Sequence, residues 1–188
     1  MRIDVFMLEY VCVKNKGVQS QGGTFMIKVA VCNQKGGVGK TSVTTNIIGG
    51  IDYHFPGKKK LAVDLDPQGH TSYILYKDPN EIKPNETIYN LFQEKQYSGN
   101  EIIHRTRNQN VDIVPSNIAL FRLQQQEKIS NKYFRLQNYL SNFDTAYDIA
   151  VIDTPPDLGT FVINALMAAD YLVIPTDLEV LSSEGFLI

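Results

Sequence analysis

The sequence has 188 residues, 43% of them hydrophobic, which is enough for one α/β domain with a substantial core. Its formal net charge is −2, so the surface as a whole is not a binding face for polyanions. Its two cysteines, Cys12 and Cys32, lack the spacing of a disulfide framework or zinc site, and no apolar run reaches the roughly 20 residues that cross a bilayer. A reducing, cytoplasmic location is expected.

The first 25 residues differ in composition from the rest of the chain. Their second half is polar and contains glycines, whereas Met26 stands directly before a strand-like run. We expect residues 1–25 to be a flexible leader or a mis-called start, and residues 26–188 to form the folded domain. The alternative is an additional edge strand from Val5 to Val13.

A phosphate-loop pattern follows, with the order strand, glycine-rich turn and helix. The apolar run Ile27–Cys32 predicts the first strand, and a helix is predicted from Thr41 to about Ile51, ending at Gly49-Gly50. Glycines in the turn permit a sharp bend and leave backbone N–H groups open to phosphate. We expect Lys40 to reach the β- and γ-phosphate oxygens and the Thr41 hydroxyl to bind Mg²⁺. The nucleotide-binding candidates are Lys35, Gly36, Gly37, Val38, Gly39, Lys40, Thr41 and Ser42.

Two aspartates close the next apolar run, LAVDLD. Ligands of an open parallel sheet lie beyond the carboxyl ends of its strands, and residues two apart share one side of a strand, so Asp64 and Asp66 could serve one site. Alternatively, both are ordinary turn formers before Pro67-Gln68-Gly69. The preceding lysine run, Lys58 to Lys60, is expected to be a solvated turn.

The remainder alternates between strand and helix patterns. Predicted helices are 87–94, 118–129, 133–143, 160–168 and one starting near Ser182, and predicted strands start at Val111 and cover 147–153 and 171–175. Asp153 closes an apolar strand before Thr-Pro-Pro, as a second magnesium-associated carboxylate would. His104, Arg105 and Arg107 indicate a charged surface turn or, alternatively, an anion contact. The alternation predicts an α/β fold, a mostly parallel sheet flanked by helices on both faces.

Three segments together resemble one family. KGGVGKT at 35–41, DLDPQG at 64–69 and YDIAVIDTPP at 147–156 closely resemble the ParA/Soj partition ATPases of the deviant Walker A group. The resemblance extends from about Met26 to Ile188 and implies a P-loop NTPase fold with ATP and Mg²⁺ as cofactors. It also implies a weak, partner-stimulated ATPase whose ATP-dependent dimerisation drives plasmid or chromosome partition.

The resemblance also implies a role for each matched residue. Lys35 matches a lysine that reaches the partner's phosphates across an ATP-sandwiched dimer, and Lys40 matches the lysine that serves its own nucleotide. Thr41, Asp64 and Asp153 match the metal site, the two aspartates through metal-bound waters. Asp66 matches the carboxylate that orients the attacking water. The implied catalytic residues are Lys35, Lys40 and Asp66.

The implied partners are a second copy of the chain, a centromere-binding ParB-like protein and non-specific DNA. Family members continue beyond the position of Gly185 with elements that supply part of the adenine pocket and most of the DNA-binding surface, so we expect a C-terminally shortened domain. Two alternatives stay open: a shortened nucleotide-binding module that pairs with a full-length relative, and a MinD-like positioning ATPase. The latter needs an amphipathic membrane anchor, which these residues do not contain. A sugar- or cofactor-ligase relative would share the loop but not DPQG.

Overall fold

The computed structural model describes residues 9–14, 25–93, 100–124 and 133–176. The strands are β1 (Glu9–Lys14), β2 (Ile27–Val31), β3 (Lys60–Asp64), β4 (His104–Arg105), β5 (Val111–Val114), β6 (Ile149–Asp153) and β7 (Tyr171–Thr176). The helices are α1 (Lys40–His54), α2 (His70–Leu75), α3 (Ile88–Leu91), α4 (Phe121–Gln124), α5 (Arg135–Ser141) and α6 (Thr160–Ala168). Short 3₁₀ turns are at Pro79–Glu81, Pro84–Glu86 and Ile118–Leu120.

Within these residues, seven strands form one sheet in the order β1-β7-β2-β6-β3-β5-β4. The five strands from β7 to β5 run parallel to one another, and β1 and β4 are antiparallel at the two edges. The prediction of a mostly parallel sheet is confirmed. Because β6 lies between β2 and β3, the carboxyl ends of these three strands lie together in the middle of the sheet.

Alternate strand residues supply two cores, one on each face of the sheet. In β3, Leu61 and Val63 pack in the cluster that contains Phe161 of α6, whereas Ala62 packs in the cluster that contains Ile48 of α1. This is the pattern of a strand covered on both faces by helices, as predicted. In the described part of the chain, no helix is long and apolar enough to span a membrane.

Helix α1 runs further than its sequence indicates. The predicted end at Gly49-Gly50 is wrong, since the helix continues to His54 and the N–H of Phe55 still donates to Ile51 O at 2.8 Å. Each glycine costs a helix about 0.5–1 kcal/mol. Burial of Ile48 against the sheet, where it is 2% exposed, offsets this cost, because burying such a side chain stabilises by about 1.5–3 kcal/mol.

Other predicted bounds also change. Strand β3 ends at Asp64, so Asp66 lies in the following turn and not on the strand. The predicted helix 118–129 begins as a 3₁₀ turn and continues as α4, and its last residues lie outside the described residues, as does the predicted helix near Ser182. Helix α2 was not predicted.

Strand β1 lies in the segment expected to be a leader. It pairs antiparallel with β7, with Glu9 opposite Thr176 and Lys14 opposite Tyr171. Residues 9–14 therefore form an edge strand, the alternative to a flexible leader. Their pairing covers the edge of β7, which would otherwise present an open row of backbone hydrogen-bonding groups. A translation start at Met26 stays a prediction.

The lysine run before β3 is only partly solvated. Lys58 is exposed and pairs with Asp148 at 2.8 Å, in agreement with a surface turn. Lys60 is fully buried and its ammonium pairs with Asp52 of α1, so the expected solvation is wrong at this position. A buried ammonium requires a carboxylate partner, which Asp52 provides.

Candidate nucleotide-binding site

The glycine-rich turn between β2 and α1 forms an open cradle. Gly37 and Gly39 have φ values of 78° and 84°, in the left-handed region that favours glycine. A Cβ atom added at Gly36 or Gly37 would meet nothing within 4 Å, so space is open in front of the loop. Val38 is 4% exposed and anchors the turn in the protein interior. The loop can therefore offer its backbone N–H groups to an anion.

Asn33, which was not predicted as a site residue, links this loop to β7. Its Nδ2 donates to Pro175 O at 2.8 Å, and its Oδ1 accepts from the Lys35 backbone N–H at 2.9 Å. The signal in the sequence was one amide side chain two residues before Lys35. Its second hydrogen-bond partner, Pro175 O, could not be predicted, because it depends on β7 lying beside β2 in the sheet.

The two loop lysines occupy different environments. Lys35 is exposed, whereas Lys40 is 8% exposed and its Nζ donates to Lys35 O at 3.0 Å. Burial lowers the pKa of Lys40, and the charges of Asp153 and Asp66 oppose that shift. Lys40 is thus a buried cation directed into its own loop, while Lys35 is on the surface.

Two carboxylates meet at the ends of neighbouring strands. Asp64 and Asp153 are register partners of β3 and β6, and both are 0% exposed. The Thr41 hydroxyl donates to Oδ2 of Asp153 at 2.8 Å. The first turn of α1 therefore brings a hydroxyl to the carboxylate pair, and Ser42, the next residue, is exposed.

Asp66 is joined to this pair through its backbone. Its N–H donates to Oδ1 of Asp64 at 3.0 Å, and its Oδ1 accepts from the Gln68 N–H at 2.9 Å. Asp64 and Asp66 are thus close together, as expected, but the cause is the turn after β3 and not the alternation of side chains along a strand. Asp66 is partly exposed, unlike Asp64.

The electrostatics of the pair favour a cation. Burial, and then the charge of Asp153, raises the pKa of Asp64 to about 8. Burial also raises the pKa of Asp153, although hydrogen bonds from Thr71 and Thr41 oppose the shift. A bound cation stabilises the ionised forms of two buried carboxylates that lie opposite each other on neighbouring strands.

Several hydroxyl side chains that were not predicted from the sequence surround the carboxylates. Thr71 and Ser72 of α2 donate to Asp153 and Asp64, respectively, and Thr44 of α1 makes a longer bond of 3.4 Å to Asp153. The sequence does contain the consecutive hydroxyl residues Thr71 and Ser72 shortly after Gly69. Their role could not be predicted, because it depends on α2 packing over the strand ends.

The donor set fits Mg²⁺ together with a nucleotide. It consists of one hydroxyl, on Thr41, and two carboxylates, on Asp64 and Asp153, which are the oxygen ligands that Mg²⁺ prefers. In the described residues, no group of three or more His, Cys, Asp or Glu side chains could hold a metal. The few protein ligands suit an ion that usually keeps several waters and binds substrate phosphates.

Other residues considered from the sequence lie elsewhere. His104 is on β4 at the sheet edge, where its Nε2 lies 2.8 Å from Glu86 O and its ring stacks on Tyr76. Cys32 is buried, which raises the pKa of its thiol, as expected for a small core side chain. Neither side chain belongs to the donor set of Thr41, Asp64 and Asp153.

A family comparison matches most of the chain. The profile of the AAA_31 family, described as an AAA domain, matches residues 26–187. The chain belongs to this family. The predicted resemblance to the ParA/Soj group is also confirmed: over 159 residues the chain is 35% identical to the sporulation initiation inhibitor protein Soj of Bacillus subtilis, covering 84% of this chain and 60% of Soj. The chain spans about half, 48%, of the length of the Mycobacterium tuberculosis proteins that it matches at 37% identity.

Solved structures share the fold of this AAA_31 domain. A plasmid partition protein from Borrelia burgdorferi matches with a TM-score of 0.74 and 28% identity, over 85% of this chain and 70% of the other. Cobyrinic acid a,c-diamide synthase from Mycobacterium smegmatis, solved with an ATP analogue and magnesium, matches with a TM-score of 0.70 and 30% identity, over 86% and 64%. One fold therefore serves proteins with different functions.

Proposed function

We propose that this AAA_31 domain binds ATP with Mg²⁺ and hydrolyses it slowly, as an ATP-dependent homodimer that acts in plasmid or chromosome partition. The proposal rests on the convergence of the open phosphate loop, the Thr41 hydroxyl and the buried pair Asp64 and Asp153 at the centre of the sheet. The similarity to Soj and to the Borrelia partition protein supports the biological role.

The loop and the first turn of α1 hold the nucleotide. Backbone N–H groups at residues 36–39 and the Lys40 ammonium bind the phosphates, and Thr41 with Asp153 and Asp64 receives Mg²⁺. When bound, Mg²⁺ neutralises charge that develops on the transferred phosphoryl group. Lys40 adds positive charge from a site that is only 8% exposed, where screening by water is weak.

Asp66 and Lys35 complete the site. Asp66 accepts a hydrogen bond from the attacking water, and its contacts to Asp64 and Gln68 hold its backbone and one carboxylate oxygen in place. Lys35 is exposed on the loop and reaches the phosphates bound by the partner copy. Hydrolysis is then conditional on dimerisation, because the second lysine arrives only in the dimer.

The remaining partners follow the family resemblance. A centromere-binding ParB-like protein stimulates hydrolysis, and the ATP-bound dimer contacts DNA phosphates without sequence preference. These steps take place in the cytoplasm.

Nucleotide titration of the purified full chain tests the proposal. We expect saturable binding of a fluorescent ATP analogue that strengthens when Mg²⁺ replaces EDTA, a dimer mass with Mg²⁺ and ATP, and slow phosphate release. Asp66→Ala should keep binding and lose turnover. If the wild-type chain binds no nucleotide, or if Asp66→Ala hydrolyses ATP at the wild-type rate, the assigned mechanism is wrong.

An ATP-dependent amide synthase is the second candidate, supported by the match to cobyrinic acid a,c-diamide synthase. The segment DPQG at residues 66–69 and the curated partition relatives favour the first candidate. The dimer measurement separates the two, because the partition mechanism requires ATP to shift the chain from monomer to dimer.

A further inference from the structure

Two consecutive hydroxyl residues at the start of α2 contact the carboxylate pair. Oγ1 of Thr71 donates to Oδ2 of Asp153 at 2.7 Å. Both the backbone N–H and the Oγ of Ser72 donate to Oδ2 of Asp64, at 2.8 and 2.7 Å. Thr71 and Ser72 are each 0% exposed, so bulk water cannot replace these bonds.

The contacts span two strands. Asp64 and Asp153 are opposite each other on β3 and β6, and neighbouring strands are about 4.8 Å apart. One short helix thus gives a separate hydroxyl donor to each carboxylate. A hydrogen bond from a neutral donor to a carboxylate is stronger than one between neutral groups and fixes the direction of the carboxylate's lone pairs.

Helix α2 is itself held in place. Gly69, which precedes it, has a φ of 65°, and a Cβ there would lie 2.6 Å from Cγ of Pro79. The backbone N–H of Ser116 donates to Oγ of Ser72 at 2.8 Å. Because the Ser72 hydroxyl accepts one hydrogen bond and donates another, its proton is directed towards Asp64.

We propose that Thr71 and Ser72 are positioning residues for the metal site, whose hydroxyls orient the carboxylates of Asp153 and Asp64 to receive Mg²⁺. This inference rests on the proposed function and adds two residues to it. Neither hydroxyl needs to touch the nucleotide, since each acts through one carboxylate. Their loss should therefore weaken Mg²⁺ binding, so that more Mg²⁺ is needed to support nucleotide binding, and leave the Mg²⁺-free binding by the phosphate loop intact.

Ser116 offers a matched control for Ser72. Both side chains are 0% exposed, and the Ser116 backbone N–H contacts Ser72, but Oγ of Ser116 has no hydrogen-bond partner within the described residues. Ser72→Ala and Ser116→Ala are the same chemical change, and only the first removes a bond to Asp64. Thr71→Val removes the bond to Asp153 with little change of shape.

The experiment measures the Mg²⁺ concentration that half-saturates the Mg²⁺-dependent binding of a fluorescent ATP analogue to the full chain. Ser72→Ala and Thr71→Val should raise it by at least about fivefold, because each removes a hydrogen bond to a charged group. Ser116→Ala, Ser72→Thr and Thr71→Ser should stay within about twofold of wild type. Binding in EDTA should stay within about twofold for every variant.

Three outcomes would overturn the inference. Unchanged Mg²⁺ half-saturation in Ser72→Ala and Thr71→Val is one, and an equal loss of binding in EDTA, which marks a merely structural role, is another. If thermal melting shows that either variant does not fold, Ser72→Cys and Thr71→Cys, whose S–H groups are weaker donors, are measured instead. Wild-type Mg²⁺ half-saturation in these cysteine variants is the third outcome. A wild-type chain that binds no nucleotide removes the proposed function as well, so the two failures are distinguishable.

Discussion

Thr41 and Asp153 are joined by a hydrogen bond of 2.8 Å, from Oγ1 of Thr41 to Oδ2 of Asp153. The bond connects the first turn of α1 with the carboxyl end of β6 across 112 residues of sequence. The hydroxyl of the phosphate-loop pattern and the acid that closes a distant apolar strand therefore belong to one site. The same carboxylate oxygen also accepts from Thr71, so α1 and α2 both donate to one oxygen of Asp153.

The first prediction compares two threonines of α1. Thr41→Val removes a hydroxyl that faces Asp153, so ATP binding in Mg²⁺ should weaken by about tenfold or more. Thr45→Val is the control, because within the described residues Oγ1 of Thr45 bonds only to helix carbonyls, those of Thr41 at 2.9 Å and Ser42 at 3.2 Å. Calorimetric titration with ATP, with and without Mg²⁺, measures both. Equal losses in the two variants would contradict a metal role for Thr41.

The central part of the fold was predictable from local sequence. Strands β2, β3 and β6 are continuous apolar runs, which is what burial on both faces requires, and the glycine and lysine spacing identified the turn between β2 and α1. The two acids at the ends of β3 and β6 were placed near the nucleotide because parallel strands share one carboxyl edge. In the structure they are register partners.

The remaining features depend on distant contacts. Strand β1 is defined by its pairing with β7, which lies far along the chain, so its own residues could not decide between a strand and a leader. Helix α2 has only six residues, and its buried positions are Thr71 and Ser72. Its sequence therefore has no apolar stripe from which a helix could be predicted. Hydrogen bonds to two acids stabilise this helix, and such bonds leave no local pattern in the sequence.

A second prediction contrasts two glycines. Gly69→Ala should destabilise the fold by about 2 kcal/mol or more, because a Cβ at a φ of 65° is strained and would lie 2.6 Å from Pro79 Cγ. Gly49→Ala should stabilise it by about 0.5–1 kcal/mol, because Gly49 lies within α1 and its Cβ would meet nothing within 4 Å. Urea unfolding followed by circular dichroism gives both values. Opposite signs are expected, and a stabilising Gly69→Ala would contradict the close approach of Pro79.

A third prediction concerns pH in the absence of ligands. Burial and Asp153 raise the pKa of Asp64 from its ordinary value of 3.8 to about 8, so between these values the folded chain holds a proton that the unfolded chain has released. The free energy of unfolding should therefore fall as pH rises across this window, by at most about 1.4 kcal/mol per pH unit from this group. Asp64→Asn should reduce that slope, as measured by urea unfolding at a series of pH values.

Asp148→Asn is the control for this titration. Hydrogen bonds from Lys58 and Lys59 lower the pKa of Asp148, so its contribution to stability is present above its ordinary pKa and is lost only in more acidic solution. Its removal should leave the slope between pH 5 and 8 as in wild type. A slope in Asp64→Asn equal to that of wild type would show that Asp64 ionises normally.

The fourth prediction concerns Asn33 and the start of the phosphate loop. Asn33→Asp keeps the acceptor for the Lys35 N–H but places a carboxylate against Pro175 O, which now accepts from Nδ2 at 2.8 Å. Loss of that donor should release the loop from β7 and weaken nucleotide binding by roughly fivefold or more, since a buried carbonyl loses its partner. The loss should be similar in Mg²⁺ and in EDTA, because Asn33 orders the loop and touches neither acid of the pair. Fluorescent nucleotide titration under both conditions measures it. Asn110→Asp in the β4–β5 turn is the control, because Nδ2 of Asn110 likewise donates to a proline carbonyl, that of Pro56 at 2.8 Å. A loss confined to Mg²⁺ would assign Asn33 to the metal site, and no loss would show that the loop holds its shape without β7.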